Sequence, residues 1–313
     1  MITCYVPDLT TLRYFIPLAE VASESGREVT FIYNRNREKY NGLKNDVNFL
    51  RFQEICAENS WLIARDDIGD SMTSNFHFTV ENVGWSRVKH DKHLSIQHGF
   101  DYVALGSDGP PETVYIAHSK VCADDIMKRH KRESFIPSTP ISLWSWEKRR
   151  DFGMRWLSEK GIVGKIVTVF YPESGQHDLV RDIVDNLESE GYSCVMKQRT
   201  KHQGMRSHGM ATHVYDSLWN PSESIFLPLC SELTVGFGST AYADLVEAGI
   251  SYVNIDTNRG SPWDDQFLYP HKKESYLSIR NDVSVSIISR LKSFTQEITP
   301  SNDQRSFLEE IIS

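Results

Sequence analysis

Lys165-Ile166-Val167-Thr168-Val169-Phe170-Tyr171-Pro172-Glu173-Ser174-Gly175-Gln176-His177 is the stretch from which the fold can be read. Its β-branched and apolar run is that of a strand buried on both faces, and Pro172 to His177 is the loop after it. The following segment, Asp178 to Glu190, carries Leu179, Ile183, Val184 and Leu187 at helical spacing and stops at Gly191. Ser193 to Met196 then resumes a strand. Two strands joined by a helical crossover pair in parallel, with a right-handed connection.

The same grammar continues outward in both directions. Downstream come an apolar segment at Ile225 to Leu229, a strand at Leu233 to Val235, a helix from about Ala241 to Ala248 closed by Gly249, and a strand at Tyr252 to Ile255. Upstream, Ile2 to Val6, a helical pattern from Leu12 to Ser25 and Glu28 to Tyr33 make another βαβ unit, followed by apolar runs at Trp61 to Ala64, Leu94 to Gln97 and Val114 to Ala117. Trp144 to Trp156, after Pro137 and Pro140, looks like a crossover between halves. Two successive sets of alternating units predict an α/β protein of two Rossmann-like domains facing across a cleft, residues 1–145 and 146–313. The last helical stretches, Val283 to Leu291 and Ser306 to Ile312, read as amphipathic closers.

Composition narrows the function. With 313 residues, 40% hydrophobic and 24% charged, the chain can bury two cores. It has no run near the ~20 apolar residues of a membrane span and no basic-then-apolar leader at its start, so a cytoplasmic protein is expected. Five scattered cysteines without CxxC spacing read as reduced thiols. A net charge of −8 argues against nucleic acid as a partner. Residues 120–160 nevertheless hold ten Lys/Arg against six Asp/Glu. Lys128-Arg129-His130-Lys131-Arg132 within them reads as a solvated helix end, with a phosphorylated partner or peripheral membrane contact as the alternative.

In open α/β sheets ligands bind beyond the carboxyl ends of the strands. The sharpest segment there is Thr234-Val235-Gly236-Phe237-Gly238-Ser239-Thr240-Ala241-Tyr242-Ala243-Asp244, a strand running into a Gly-rich turn and a helix start. Backbone N–H groups at Gly238, hydroxyls of Ser239 and Thr240, and an acid at Asp244 suit a diphosphate and a ribose. A plain N-cap is the competing reading of Ser239 or Thr240. Ser95-Ile96-Gln97-His98-Gly99 brings a histidine to a strand end, where it could take a proton from a hydroxyl, or serve only as a hydrogen-bonded structural residue. Lys197 and Arg199, two residues apart after a strand, could reach one phosphate, and Tyr171, Glu173 and Ser174 follow the first strand of the same domain. Solvated charge and turn residues are the plainer readings. No P-loop, H-E-x-x-H, G-x-S-x-G or early G-x-G-x-x-G pattern is present. Of the acid pairs, only Asp264-Asp265 falls near the expected cleft, so no metal and no other cofactor is expected.

Two Rossmann-like halves, His98-Gly99 in the first, and Ser239-Thr240 with Asp244 in the second together resemble glycosyltransferases of the GT-B fold. The resemblance is strongest to the branch of CDP-glycerol glycerophosphotransferases and capsule-polymer enzymes, and it extends to UDP-N-acetylglucosamine 2-epimerases. It implies a nucleotide-sugar co-substrate held by Gly238, Ser239, Thr240, Asp244, Lys197, Arg199, Tyr171 and Ser174, and a glycan or glycolipid acceptor. His98 would be the base, with Asp8 after the first strand the weaker candidate, in a metal-independent, inverting transfer. Lys197-Gln198-Arg199-Thr200 stands where that branch has a second His-Pro motif, and Gly236-Phe237-Gly238 where it has an acid-Tyr. Those departures favour an ordinary sugar donor over glycerol phosphate.

Overall fold

A computed structural model describes residues 1–34, 47–67, 71–98, 109–171, 177–198, 212–215, 222–237, 242–255, 276–279 and 303–313. The chain divides into two units, Met1–Trp144 with Pro300–Ser313, and Ser145–Thr299.

The first unit is built on a seven-stranded sheet: β1 (Ile2–Val6), β2 (Val29–Tyr33), β3 (Leu62–Arg65), β4 (Thr73–Val80), β5 (Lys89–Ile96), β6 (Val114–Ile116) and β7 (Ser134–Phe135). The order is β3-β2-β1-β4-β5-β6-β7, and every pairing is parallel. Helix α1 (Leu12–Glu24) follows β1, α2 (Val47–Glu58) precedes β3, and α3 (Lys120–His130) follows β6. Ile2, Cys4 and Phe31 are buried on one face, with Phe31 edge-on to Phe52 of α2 at 5.1 Å between centroids. Trp61 anchors the approach to β3 by donating to Ser23 Oγ of α1 at 2.6 Å.

The opposite face of the same strands is polar. Thr3 pairs in register with Thr30 and His77, His77 with His93, and Thr79 with Ser95, and all of these are buried. They satisfy one another: Thr3 Oγ1 and His77 Nδ1 are 2.7 Å apart, Thr79 Oγ1 and His93 Nε2 2.8 Å, and Thr113 Oγ1 and His93 Nδ1 2.9 Å. This pattern hides β4 in the sequence. Thr73-Ser74-Asn75-Phe76-His77-Phe78-Thr79-Val80 alternates like a half-exposed strand although it sits at the centre of the sheet.

The second unit begins with α4 (Trp146–Glu159). Its sheet comprises β8 (Lys165–Phe170), β9 (Tyr192–Gln198), β10 (Thr212–Tyr215), β11 (Leu233–Gly236), β12 (Tyr252–Ile255) and β13 (Tyr276–Ile279). The order is β10-β9-β8-β11-β12-β13, again all parallel. Helix α5 (His177–Ser189) packs Val180, Ile183, Val184 and Leu187 on Val167, Val169, Met196 and Val235. On the other face α4 and α6 (Glu223–Leu229) bring Leu157, Phe226 and Leu227 onto Ile166 and Val195. A short α7 (Tyr242–Glu247) precedes β12.

The last helix, α8 (Gln304–Ile312), departs from the expected second domain of 146–313, because it belongs to the first unit. Phe307 meets Phe135 and Trp144 edge-on, Arg27 pairs with Glu309 at 2.9 Å, and Ser138 donates to Asp303. Val283 to Leu291 lies outside the described residues. All five cysteines are free thiols, and among the described residues no helix is long and apolar enough to cross a membrane.

Candidate functional site

In each unit the first and fourth strands are neighbours, and the chain runs off to opposite sides from them, which opens a crevice at their carboxyl ends. In the first unit this point lies between β1 and β4. Asp8, just past β1, caps a 3-10 turn at Leu9–Thr11: its Oδ1 accepts from Thr10 N at 2.9 Å and from the Thr10 hydroxyl. Asp8, the weaker candidate for proton acceptor, is thus engaged in setting the entry to α1.

His98 stands two residues beyond β5 and is held at three points. Its N–H donates to Glu81 Oε1 at 3.1 Å, its carbonyl accepts from Tyr14 Oη at 3.4 Å, and its ring Nδ1 lies 3.2 Å from Arg13 Nη2. Tyr14 stands edge-on to the His98 ring at 5.9 Å and 6.2 Å from that of His118, and the Arg13 guanidinium lies 4.7 Å over the Tyr14 ring. Gln97 ties the neighbouring strand ends together, accepting from His118 N at 3.2 Å. Residues from α1, from the ends of β4 and β5, and from the turn after β6 therefore converge. This is a cluster that can donate, accept and carry charge of both signs.

Of this group the sequence singled out His98 and Asp8 alone. Glu81 follows a strand whose alternation concealed it. Arg13 is 85 residues from His98, and no local pattern links them. Only the order β1-β4-β5 brings them together.

In the second unit the equivalent point lies between β8 and β11. Tyr171 is buried, donates its N–H to Lys197 O at 3.0 Å, and has its phenol pushed above the usual range by burial. Lys197 lies within β9 rather than after it, and is 8% exposed with Nζ 5.5 Å from the Phe170 ring centroid. A cation in that setting is held by the ring face and the strand end rather than by bulk water. Asp244 is 2% exposed in the first turn of α7. Gly236 ends β11 with no room for a side chain, since a Cβ would lie 1.7 Å from Tyr252 Oη. Arg199, Ser174, Gly238, Ser239 and Thr240 lie outside the described residues.

Other reactive groups are set aside by their surroundings. Burial pushes the Cys56, Cys194 and Cys230 thiols up to about 12, which leaves no thiolate nucleophile among them. Burial likewise lowers His77 to about 4 and His93 to about 3, so both are neutral near pH 7. His77, His90 and His93 are mutually close, yet among the described residues no group of His, Cys, Asp or Glu is arranged to hold a metal ion.

No family model matches the chain, and no curated protein matches it in sequence. Solved structures do share its fold. The UDP-GlcNAc 2-epimerase from Methanocaldococcus jannaschii aligns over 99% of this chain and 98% of that one, at 8% identity and a TM-score of 0.56. The glycosyltransferase VinC in complex with DTDP aligns over 99% of this chain and 94% of that one, at 10% identity and a TM-score of 0.50. At such identities the likeness is one of fold. It supports the GT-B architecture.

Proposed function

We infer that the chain is a nucleotide-sugar glycosyltransferase that moves a sugar to a hydroxyl of a glycan or glycolipid acceptor. The observation that carries this reading is the repeated strand order: two sheets with a crevice between first and fourth strands, the first bearing a His-Arg-Glu cluster and the second a buried lysine and aspartate. In such a transfer negative charge develops on the leaving phosphate and a proton must leave the acceptor hydroxyl. Lys197, with Arg199 and the turn of Gly238, Ser239 and Thr240, would meet the first need, while Asp244, Tyr171 and Ser174 complete the donor site. His98 would meet the second, with inversion and without a metal ion. The basic stretch of residues 120–160 is the surface by which such an enzyme would approach an acidic or membrane-bound acceptor from the cytoplasm.

One observation favours a second reading. The 2-epimerase likeness has the higher TM-score of the two structures, and a cluster with both Glu81 and His98 suits chemistry that moves protons without an acceptor. Incubation with UDP-, GDP-, CDP- and dTDP-linked sugars and with CDP-glycerol separates these readings. Nucleoside diphosphate released only when an acceptor is present supports glycosyl transfer. An epimerised sugar without acceptor supports the second reading, CMP from CDP-glycerol supports glycerophosphate transfer, and a ligand bound but left intact points to a non-catalytic binding protein.

A further inference from the structure

We propose that Arg13 is a positioning residue that fixes the tautomer of His98, holding its neutral imidazole in the Nε2–H form. The reasoning starts from what each group can do. A guanidinium has five N–H donors and no acceptor, so at 3.2 Å from His98 Nδ1 it can only donate. Nδ1 must then offer its lone pair, and a neutral imidazole with a lone pair at Nδ1 carries its proton at Nε2. Neither partner swings freely. Arg13 lies across the Tyr14 ring and donates to its hydroxyl, and His98 is tied through its own N–H to Glu81 and through its carbonyl to Tyr14.

The groups around the ring point the same way. From α1 it is met by Arg13 and Tyr14, and His118, from the turn after β6, lies 6.2 Å from the Tyr14 ring. Glu81, after β4, directs Oε1 at the His98 backbone, and Asp8, after β1, directs Oδ1 at Thr10. A histidine poised to accept a proton at Nε2 is ordinarily backed at Nδ1 by a carboxylate or carbonyl. Here that nitrogen meets a cation, which opposes formation of the imidazolium. What this means for transfer rests on reading His98 as the group that handles the acceptor proton: removal of that proton must be preceded by release of Nδ1 from Arg13. The contact itself does not depend on that reading.

The test is long-range ¹H–¹⁵N correlation on the histidine side chains of the full chain at pH 8, without donor or acceptor, with His98 assigned by its loss in His98→Gln. The expected result is Nε2–H as the dominant form of His98. Arg13→Met is expected to lower the ratio of Nε2–H to Nδ1–H by about tenfold, the equivalent of one hydrogen bond to a charged group, and Arg13→Lys, which keeps a donor, to preserve it. Nδ1–H as the dominant form in the unaltered protein would overturn the proposal, and needs no variant to fold. So would a ratio in Arg13→Met within twofold of the original, or a lysine variant that behaves like the methionine one. No substrate enters the measurement, so failure of the transferase reading would show separately, as absence of product in the sugar-nucleotide incubations.

Discussion

The two sheets share a strand order but differ in how the chain passes from the strand beside the first to the next one out. Between β11 and β12 the path includes α7, whereas β4 and β5 are joined by Glu81 to Val88 alone, with a 3-10 turn at Trp85–Arg87. A parallel crossover ordinarily takes a dozen or more residues and lays a helix on the sheet. The eight-residue path lays no helix of its own on the sheet, and β1, β4 and β5 carry Thr3, Thr79, His77 and His93 on one face, paired through hydrogen bonds. Gly84 makes the close passage feasible. It adopts φ +82°, a Cβ there would lie 2.3 Å from the Tyr5 ring, and its carbonyl is 3.2 Å from His77 Nε2. The same order of strands is thus compatible with either an oily or a polar buried face, provided every polar group is matched.

The contrast can be broken most severely with acid. His77 and His93 have folded-state values of about 4 and about 3 against an ordinary 6.5. Because those values are depressed, the unfolded chain takes up protons first. The stabilisation these neutral rings provide is complete above pH 6.5, declines as pH falls below it, and is exhausted below about 3. Two such shifts correspond to a loss on the order of several kcal/mol, comparable to the stability of a domain. Denaturant midpoints followed between pH 7 and 4.5 should fall for the first unit, and His77→Gln with His93→Gln should flatten that slope. A slope unchanged by these substitutions would assign the acid sensitivity elsewhere.

The next largest effect separates chemistry from donor binding. His98→Ala should lower transfer by about 10²–10⁴-fold while donor affinity measured by calorimetry stays within a few-fold. Asp244→Ala should do the reverse, weakening donor binding at least as much as it slows turnover. Equal loss of binding in both variants would erase the division of labour between the units.

Smaller effects compare the two close glycines. Gly84→Ala meets both a positive φ and the rigid Tyr5 ring, and should destabilise by about 2–4 kcal/mol in chemical unfolding. Gly236→Ala meets the buried Tyr252 phenol without a positive φ, and should cost about 1–3 kcal/mol. The smallest change expected is that of Asp8→Asn, which keeps an acceptor for Thr10 N and should leave transfer within a few-fold. A loss as deep as that of His98→Ala would instead make Asp8 the proton acceptor.

How much was legible depended on the kind of burial. β8, β9, β11 and β12 announce themselves by near-continuous apolar runs, and β1 and β2 by runs rich in apolar, β-branched and aromatic residues. β4 lies as deep but alternates, since His77 and Thr79 are buried by hydrogen bonding rather than by hydrophobicity. β10 and β13, at opposite edges of the second sheet, were not singled out in the sequence. His98 could be picked out because a histidine followed by glycine ends an apolar run. Lys197 was placed one step too late, since a lysine inside a strand looks like the residue that ends it.

What the residues alone determined is the class of fold and the ends of strands where chemistry belongs, because periodicity and turn signals are local and survive without any knowledge of partners. Which strands lie side by side, which unit captures α8, and which nitrogen of His98 is held by Arg13 were decided only in three dimensions. Each depends on contacts between segments tens to hundreds of residues apart, where a helix goes to whichever apolar surface is uncovered, and a hydrogen bond forms wherever donor and acceptor are brought within reach.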